Sequence, residues 1–228
     1  MRIVLVSDTH GLHRSIQIPE GDILIHAGDL SSSGKSSEVA DATKWLASLP
    51  HQYKIAIAGN HDFLFERSPG EATTLLRDAG VTYLQDTGVN VEGLSIYGSP
   101  WQPEFMNWAF NVPRGRLARY WDLIPSGLDI LVTHGPPFGI LDQSTPAGTR
   151  RLAQWEDKEQ FTGSEHLGCE ELLAAVERSQ PRVHVFGHIH GGYGASLSEH
   201  TDFYNASVCN EAYKPMNKPW AIDMAGVG

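Results

Sequence analysis

The sequence predicts one α/β domain spanning residues 1–228, and three observations support this fold class. The length of 228 residues fits one large domain. Short apolar runs rich in β-branched residues alternate with amphipathic segments, which is the pattern of strands and helices in α/β proteins. Asp, His or Asn directly follows several of the apolar runs, and no repeat, low-complexity tract or linker divides the chain.

The amino-acid composition limits the kinds of binding partner that are expected for this protein. The formal net charge is −10, from 27 acidic and 17 basic residues. Because phosphate backbones are bound by clustered Lys and Arg, we expect no long nucleic acid as a partner. No apolar run is long enough to span a membrane, and no signal peptide is apparent, so we expect a cytoplasmic protein without membrane contact. Two cysteines form no disulfide framework.

The first half of the chain predicts strands interrupted by two helices. Apolar runs predict strands at residues 2–6, 22–27, 53–58 and 81–84, and a hairpin over 89–97 that turns near Glu92 and Gly93. A helix is expected from about residue 37 to 49, where Pro50 ends it, and a second over 69–79 before Gly80. Residues 63–65 are expected to pack over the turn that precedes them.

The second half continues the alternation. Residues 98–103 should break regular structure. Helices are predicted over 113–121, with Pro113 at the start, and over 169–179, whereas strands are predicted at 128–132, 182–186, 203–207 and 220–223. Residues 138–167 are polar and long for a loop, which is typical of a lid or insertion.

Polar side chains at the ends of the predicted strands form the main functional signal. Each one alone could be a turn or capping residue. Their repetition at successive strand ends indicates a single site that several strands assemble. The residues are Asp8, His10, Asp29, Asn60, His134, His188 and His190.

This set of side chains predicts a metal centre. It combines oxygen and imidazole donors without thiolate, which suits Mn²⁺, Fe or Zn²⁺ better than Ca²⁺. Seven ligands exceed the need of one catalytic ion, so we expect two divalent transition-metal ions that share a carboxylate, with Mn²⁺ as the first choice. Two such ions activate water and hold a phosphoryl group. His61 then remains available to donate a proton, and Asp62 is expected to orient it.

Candidate substrate contacts come from two further segments. Trp101, Phe105, Trp108 and Phe110 are either core residues or a wall that stacks on a flat substrate group. Arg114, on the predicted helix over 113–121, either lies on a solvated face or reaches a substrate phosphate. We take Trp101, Trp108 and Arg114 as the candidate substrate-binding residues.

The remaining histidines are assigned structural positions. His26 and His184 lie inside predicted strands and are expected in the core. His51 is expected at the surface, and His13 either there or beside the site.

Five blocks of the sequence resemble the calcineurin-like metallophosphoesterases. They are residues 8–10, 28–29, 59–62, 133–135 and 187–190, and they occur in the family order. The resemblance implies a four-layer α-β-β-α sandwich with mixed sheets and a dinuclear centre. It assigns Asp8, His10, Asp29 and His190 to one metal, and Asp29, Asn60, His134 and His188 to the other. His61 becomes the acid or a stabiliser of the transition state.

Residues 97–103, 108–115, 133–137, 184–194 and 205–209 are similar to the metallophosphoesterase-domain-containing phosphodiesterases of the 239FB type. Some animal members of that group carry Gly at the position of His188, which weakens metal binding and activity. Since His188 is present here, the resemblance implies a competent enzyme that hydrolyses small phosphodiesters, including 2′,3′- or 3′,5′-cyclic nucleotides. The alternatives are a phosphomonoesterase or protein phosphatase, a non-catalytic nucleotide-binding scaffold and, least favoured by the charge, a DNA nuclease.

Overall fold

The computed structural model describes residues 1–145 and 166–225. It contains a five-stranded sheet of order β13-β1-β2-β3-β4 and a six-stranded sheet of order β11-β12-β10-β9-β6-β5. The strands are β1 Arg2–Val6, β2 Ile23–Ala27, β3 Tyr53–Ile57, β4 Thr82–Tyr83, β5 Thr87–Val91, β6 Leu94–Ser99, β7 Gln102–Pro103, β8 Asn111–Val112, β9 Ile130–Thr133, β10 Val183–Phe186, β11 Gly194–Leu197, β12 Asp202–Asn205 and β13 Trp220–Asp223. Strands β7 and β8 form a separate parallel pair.

Both large sheets are mixed. Strands β1 to β4 are parallel and β13 joins β1 in the antiparallel direction. In the second sheet β6, β9, β10 and β12 are parallel, and the edge strands β5 and β11 are antiparallel to their neighbours. Ser7, after β1, forms a parallel bridge with Ser207, after β12. This bridge brings the carboxyl ends of strands from both sheets together.

Helices cover the outer faces of the sheets. They are α1 Ser36–Ser48, α2 Phe63–Arg67, α3 Pro69–Asp78, α4 Ala118–Trp121 and α5 Glu170–Ser179. Alternate residues of β1 separate two cores: Val4 and Val6 pack with α1 and α3, whereas Ile3 and Leu5 pack against the second sheet. A third core joins the far side of the second sheet to α4 and α5. These layers confirm the four-layer α-β-β-α sandwich.

The hairpin illustrates how local sequence determines backbone geometry. Glu92 and Gly93 both have positive φ, at 50° and 85°, as a tight hairpin turn requires. Gly93 also donates its N–H to the Asn90 side chain. The predicted turn position is therefore confirmed.

Several local predictions were wrong. Helix α4 starts at Ala118 although Pro113 suggested an earlier start. The helix starts later because Gly115 has a φ of 81°, which is outside the helical region, and the Leu117 N–H is donated to Glu171 of α5. His51, which was expected at the surface, is buried, and its ring Nε2 forms a hydrogen bond with the Pro19 carbonyl. The predicted break at 98–103 is only partial, since β6 runs to Ser99 and β7 follows.

Cys169 and Cys209 are free and buried. Among the described residues no helix is both long and apolar enough to cross a membrane. Most of the predicted lid or insertion, residues 146–165, lies outside the described residues. Its role, like the single-domain boundary, stays a prediction.

Candidate metal centre

The seven strand-end residues meet at one place, where the carboxyl ends of the two sheets face each other. They follow β1, β2, β3, β9 and β10, so every contributing strand is central and parallel to at least one neighbour. All seven side chains are buried or partly buried. The structure therefore brings together the full set of predicted ligands.

One group of donor atoms lies around Asp8. His190 Nε2 is 3.2 Å from Asp8 Oδ1 and 3.2 Å from His10 Nε2. His10 Nε2 is also 3.7 Å from Asp29 Oδ2. Atoms that share an ion at a metal–ligand distance of about 2.0–2.2 Å are expected about 3–3.5 Å apart, so this spacing suits one cation.

A second group lies around Asn60. The amide oxygen Oδ1 is 2.8 Å from both His134 Nε2 and His188 Nδ1. His134 Nε2 is 3.5 Å from Asp29 Oδ2, the same oxygen that faces His10 in the first group. Asp29 Oδ2 thus belongs to both groups, as the bridging position requires.

Hydrogen bonds on the far sides of the rings test whether a cation fits. His134 Nδ1 donates to the Ala27 carbonyl at 3.0 Å, and His190 Nδ1 donates to the Asn210 carbonyl at 3.0 Å. With Nδ1 as the donor, a ring that has lost its second proton directs the lone pair of Nε2 towards carboxylate or amide oxygens, which are also acceptors. Converging lone pairs repel one another unless a cation lies between them, so the donor set fits a divalent metal.

The protonation of the metal-free cluster leads to the same conclusion. Burial opposes charge on His134, yet Asp29 and Asp8 raise its pKa to about 9. Burial lowers the pKa of His188 to about 3 and that of His10 to about 4. Burial also opposes charge on His190, yet its hydrogen bond to Asp8 raises its pKa. The carboxylates thus favour the protonated forms of His134 and His190, and metal binding would replace those protons.

Backbone geometry supports the close approach of these groups. Asp8, His10, Asp29 and His188 have positive φ values of 56°, 45°, 56° and 67°. Gly59 is required because a Cβ there would collide with the Asp29 carboxylate and the His134 ring. Such strained positions cluster at functional sites.

His61 lies beside the first group, and its ring is held by the backbone. Its Nδ1 donates to the Ser32 carbonyl at 2.7 Å, so Nε2 is the nitrogen available to the site. Its backbone N–H donates to Asp29 Oδ1 at 2.8 Å. The ring centroid is 4.6 Å from that of His10. A ring so placed can transfer a proton from Nε2.

Asp62 has a different position from the predicted one. Its carboxylate accepts hydrogen bonds from the backbone of Leu30, Ser31 and Gly59 and from the Ser31 hydroxyl. It therefore joins two turns, and it is the Ser32 carbonyl that orients the His61 ring. The expectation that Asp62 orients this imidazole was wrong, because the buried carboxylate is occupied by backbone donors.

The candidate substrate residues separate into two groups. Trp108 lies at the site, with its ring centroid 4.1 Å from His61. Trp101 instead stacks on Tyr120 at 4.1 Å and donates its indole N–H to Asp86, which favours the core alternative. Arg114 donates to the carbonyls of Leu167 and Gly168, so its guanidinium is engaged by backbone and the phosphate-binding alternative loses support.

Sequence reasoning missed three residues at the site. Ser32 supplies the carbonyl that orients His61. Ser207 donates its hydroxyl to Asp8 Oδ2 at 2.9 Å. Tyr213 places its ring 4.7 Å from His10. Ser207 could have been noticed, because it is the last residue of the predicted strand over 203–207, whereas Ser32 and Tyr213 lie in loops without such a pattern.

Comparisons with known proteins bear on the family and the fold of the chain. The family model described as calcineurin-like phosphoesterase matches residues 1–192. Human metallophosphoesterase domain-containing protein 1 is 45% identical over 98% of this chain and 71% of its own length. The UPF0046 protein K07C11.7 of Caenorhabditis elegans is 34% identical over 96% of this chain and 73% of its own length. The solved structure of TT1561 from Thermus thermophilus is similar in fold, with a TM-score of 0.56 and 15% identity over 92% of this chain and 90% of that chain.

Proposed function

The chain belongs to the calcineurin-like phosphoesterase family, and from this premise we propose that it is a dinuclear-metal-dependent phosphodiesterase acting on small diesters such as cyclic nucleotides. The observation that carries the proposal is the pair of donor groups that share Asp29 Oδ2, with His61 adjacent to them. A single catalytic ion would leave several of the seven donors unused.

The proposed ligands divide between two ions. Asp8, His10, Asp29 and His190 would hold one, and Asp29, Asn60, His134 and His188 would hold the other. When bound, two divalent ions supply Lewis-acid charge and make hydroxide accessible near neutral pH. Ser207 and the His188 backbone N–H hold the Asp8 carboxylate, and Ala27 and Asn210 orient His134 and His190.

His61 serves the departing oxygen in this proposal. Its Nδ1 is engaged by the Ser32 carbonyl, so a proton on Nε2 can pass only towards the site. Protonation of the leaving oxygen matters most when that oxygen is a poor leaving group. The partly exposed ring of Trp108 beside His61 would border the same part of the substrate.

The test is a turnover comparison with metal-reconstituted protein. A methyl diester and the corresponding monoester, both with a nitrophenol leaving group, differ only in the charge and substitution of the phosphoryl group. We expect a higher kcat/KM on the diester and hydrolysis of 2′,3′- or 3′,5′-cyclic nucleotides. Preference for the monoester would replace the proposal with a phosphomonoesterase, and absence of turnover with retained nucleotide binding would replace it with a binding scaffold.

A further inference from the structure

We propose that Tyr213, together with Trp108, selects diesters whose leaving group carries a flat ring. The inference rests on the proposed function, because it concerns the leaving group that His61 would protonate. Tyr213 is then a specificity-determining residue, and the preferred substrates are phosphodiesters with a nucleoside or aryl-type alcohol on the departing side.

Tyr213 forms the outer layer over the first donor group. Its ring centroid is 4.7 Å from His10, 5.2 Å from His190 and 6.0 Å from His61. His10 and His61 are buried, at 4% and 7% exposure, whereas Tyr213 is 38% exposed. Tyr213 is therefore the more solvent-exposed ring beside these buried histidines.

The backbone of Tyr213 is tied to a candidate ligand. Its N–H donates to the Asn210 carbonyl at 2.8 Å, and the same carbonyl accepts Nδ1–H of His190 at 3.0 Å. The Asn210 side chain also accepts the N–H groups of Ala212 and Lys214. One residue thus sets both the orientation of His190 and the turn that presents Tyr213.

This turn holds Tyr213 in a left-handed conformation, with φ of 55°. A bulky side chain adopts this region at an energetic cost and only where the surroundings impose it. A glycine at this position would remove the cost but also the ring. The strained backbone together with the ring's contacts on three site histidines indicates that the aromatic side chain has a role there.

Trp108 is held in a comparable way. Ala109 donates its N–H to the Asn60 carbonyl at 3.1 Å, which ties the Trp108 segment to the turn that carries Asn60 and His61. The Trp108 ring lies 4.1 Å from His61 and stacks over Phe63 at 6.2 Å. Trp108 and Tyr213 therefore both lie beside His61. Backbone hydrogen bonds fix the Trp108 segment to Asn60 and fix Tyr213 to Asn210, whose carbonyl also binds His190.

The position of His61 assigns these rings to the leaving group. If His61 Nε2 protonates the departing oxygen, the atoms attached to that oxygen extend from His61 towards solvent, where the two partly exposed rings lie. Aromatic side chains stack on flat rings and favour them over puckered saturated rings of similar size. Stacking on one base contributes a factor of roughly 5–150 in affinity.

Two diesters with alkoxide leaving groups test the proposal: benzyl methyl phosphate and cyclohexylmethyl methyl phosphate. The metal-loaded wild type should prefer the benzyl diester and release benzyl alcohol in preference to methanol. Tyr213→Leu should lose about 10-fold in kcat/KM on the benzyl diester and little on the saturated one. Tyr213→Phe, which keeps the ring, should retain the preference. Tyr120→Leu serves as control, because Tyr120 stacks on Trp101 in the packing contacts described above.

Binding provides a readout that does not depend on turnover. Benzylphosphonate and cyclohexylmethylphosphonate carry a P–C bond in place of the scissile bond, and calorimetry measures their affinities. We expect Tyr213→Leu to remove the preference for benzylphosphonate while elemental analysis finds the metal content unchanged. Equal losses for both compounds, loss of metal, or release of methanol in place of benzyl alcohol would each overturn the assignment. A wild type that binds benzylphosphonate in a Tyr213-dependent way but hydrolyses no diester would overturn the proposed function and leave Tyr213 as a ring-binding residue.

Discussion

Asp29 is a single residue that connects the separate parts of this site. One carboxylate oxygen lies 3.7 Å from His10 Nε2 and 3.5 Å from His134 Nε2, and the other accepts the His61 N–H at 2.8 Å. Its φ of 56° costs stability, and the hydrogen bond from His10 N–H to its carbonyl helps to hold that conformation. Asp29 therefore links both donor groups and the proposed acid.

Asp29→Ala should lose both metal ions, because it removes the ligand that the two groups share. Elemental analysis of protein dialysed against limiting metal gives the stoichiometry, and we expect two ions per wild-type chain and fewer than one in the variant. Asp78→Ala, at an exposed aspartate, is the control and should retain both ions. A variant that keeps one tightly bound ion would disprove the bridging assignment.

His61→Ala separates chemistry from metal binding. We expect the variant to keep both metals and to lose about 10²–10⁴-fold in kcat on a diester with an alkoxide leaving group, the contribution of a positioned general acid. The loss should shrink with a nitrophenolate leaving group, which needs little protonation. The exposed His200→Ala variant should match wild type on both substrates. Equal losses on the two substrates would make His61 a charge stabiliser, and loss of metal would make it a ligand.

At the scale of elements, the site depends on turns that pack against one another. The turn after β2 and the turn after β3 are joined by Asp62, whose Oδ2 accepts N–H groups of Leu30 and Gly59 at 3.1 and 2.9 Å. Its Oδ1 accepts the N–H and the hydroxyl of Ser31. These bonds set the distance between Asp29 and Asn60, which lie on the two turns.

Asp62→Asn should lower the free energy of unfolding of the metal-free protein by about 2–4 kcal/mol, because two buried backbone N–H groups would face an amide NH₂. Denaturant unfolding measures this change, and the exposed Asp78→Asn variant should stay within about 0.5 kcal/mol of wild type. Unchanged stability combined with lost activity would return Asp62 to a role in orienting His61.

At the scale of the whole molecule, the side chains packed between the two sheets fix the position of one half of the site relative to the other. Ile25, fully buried in this layer, alternates along β2 with residues that face α1 and α3. The first sheet provides Asp8, His10, Asp29 and Asn60, and the second provides His134, His188 and His190. The contact between the sheets therefore determines whether the donor groups meet.

Ile25→Ala should destabilise the protein by about 2–5 kcal/mol, the cost of a cavity at a position with packing on both sides. Leu123→Ala removes a side chain that is 56% exposed and should change stability by less than about 0.5 kcal/mol. Thermal unfolding measures both variants. A small effect of Ile25→Ala would contradict the view that the layer between the sheets is tightly packed.

Most strands of the two sheets and the seven side chains at strand ends could be predicted from the sequence alone, whereas β11 Gly194–Leu197 could not. Both predictions follow from local rules. Apolar runs predict buried strands, and the residue after such a run lies at the carboxyl end of the strand. The blocks around Asp8, Asp29, Asn60, His134 and His188 could therefore be found without coordinates.

The partner that each polar or aromatic side chain meets depends on how the layers pack in three dimensions. Ser32 orients His61, Asp62 binds backbone N–H groups, Trp101 packs on Tyr120, and Tyr213 reaches His10 across 203 positions of the chain. These contacts join segments whose spacing in sequence carries no periodic signal. Periodicity encodes which side of an element is buried, whereas hydrogen bonds and ring contacts depend on the distances between loops once the layers have packed.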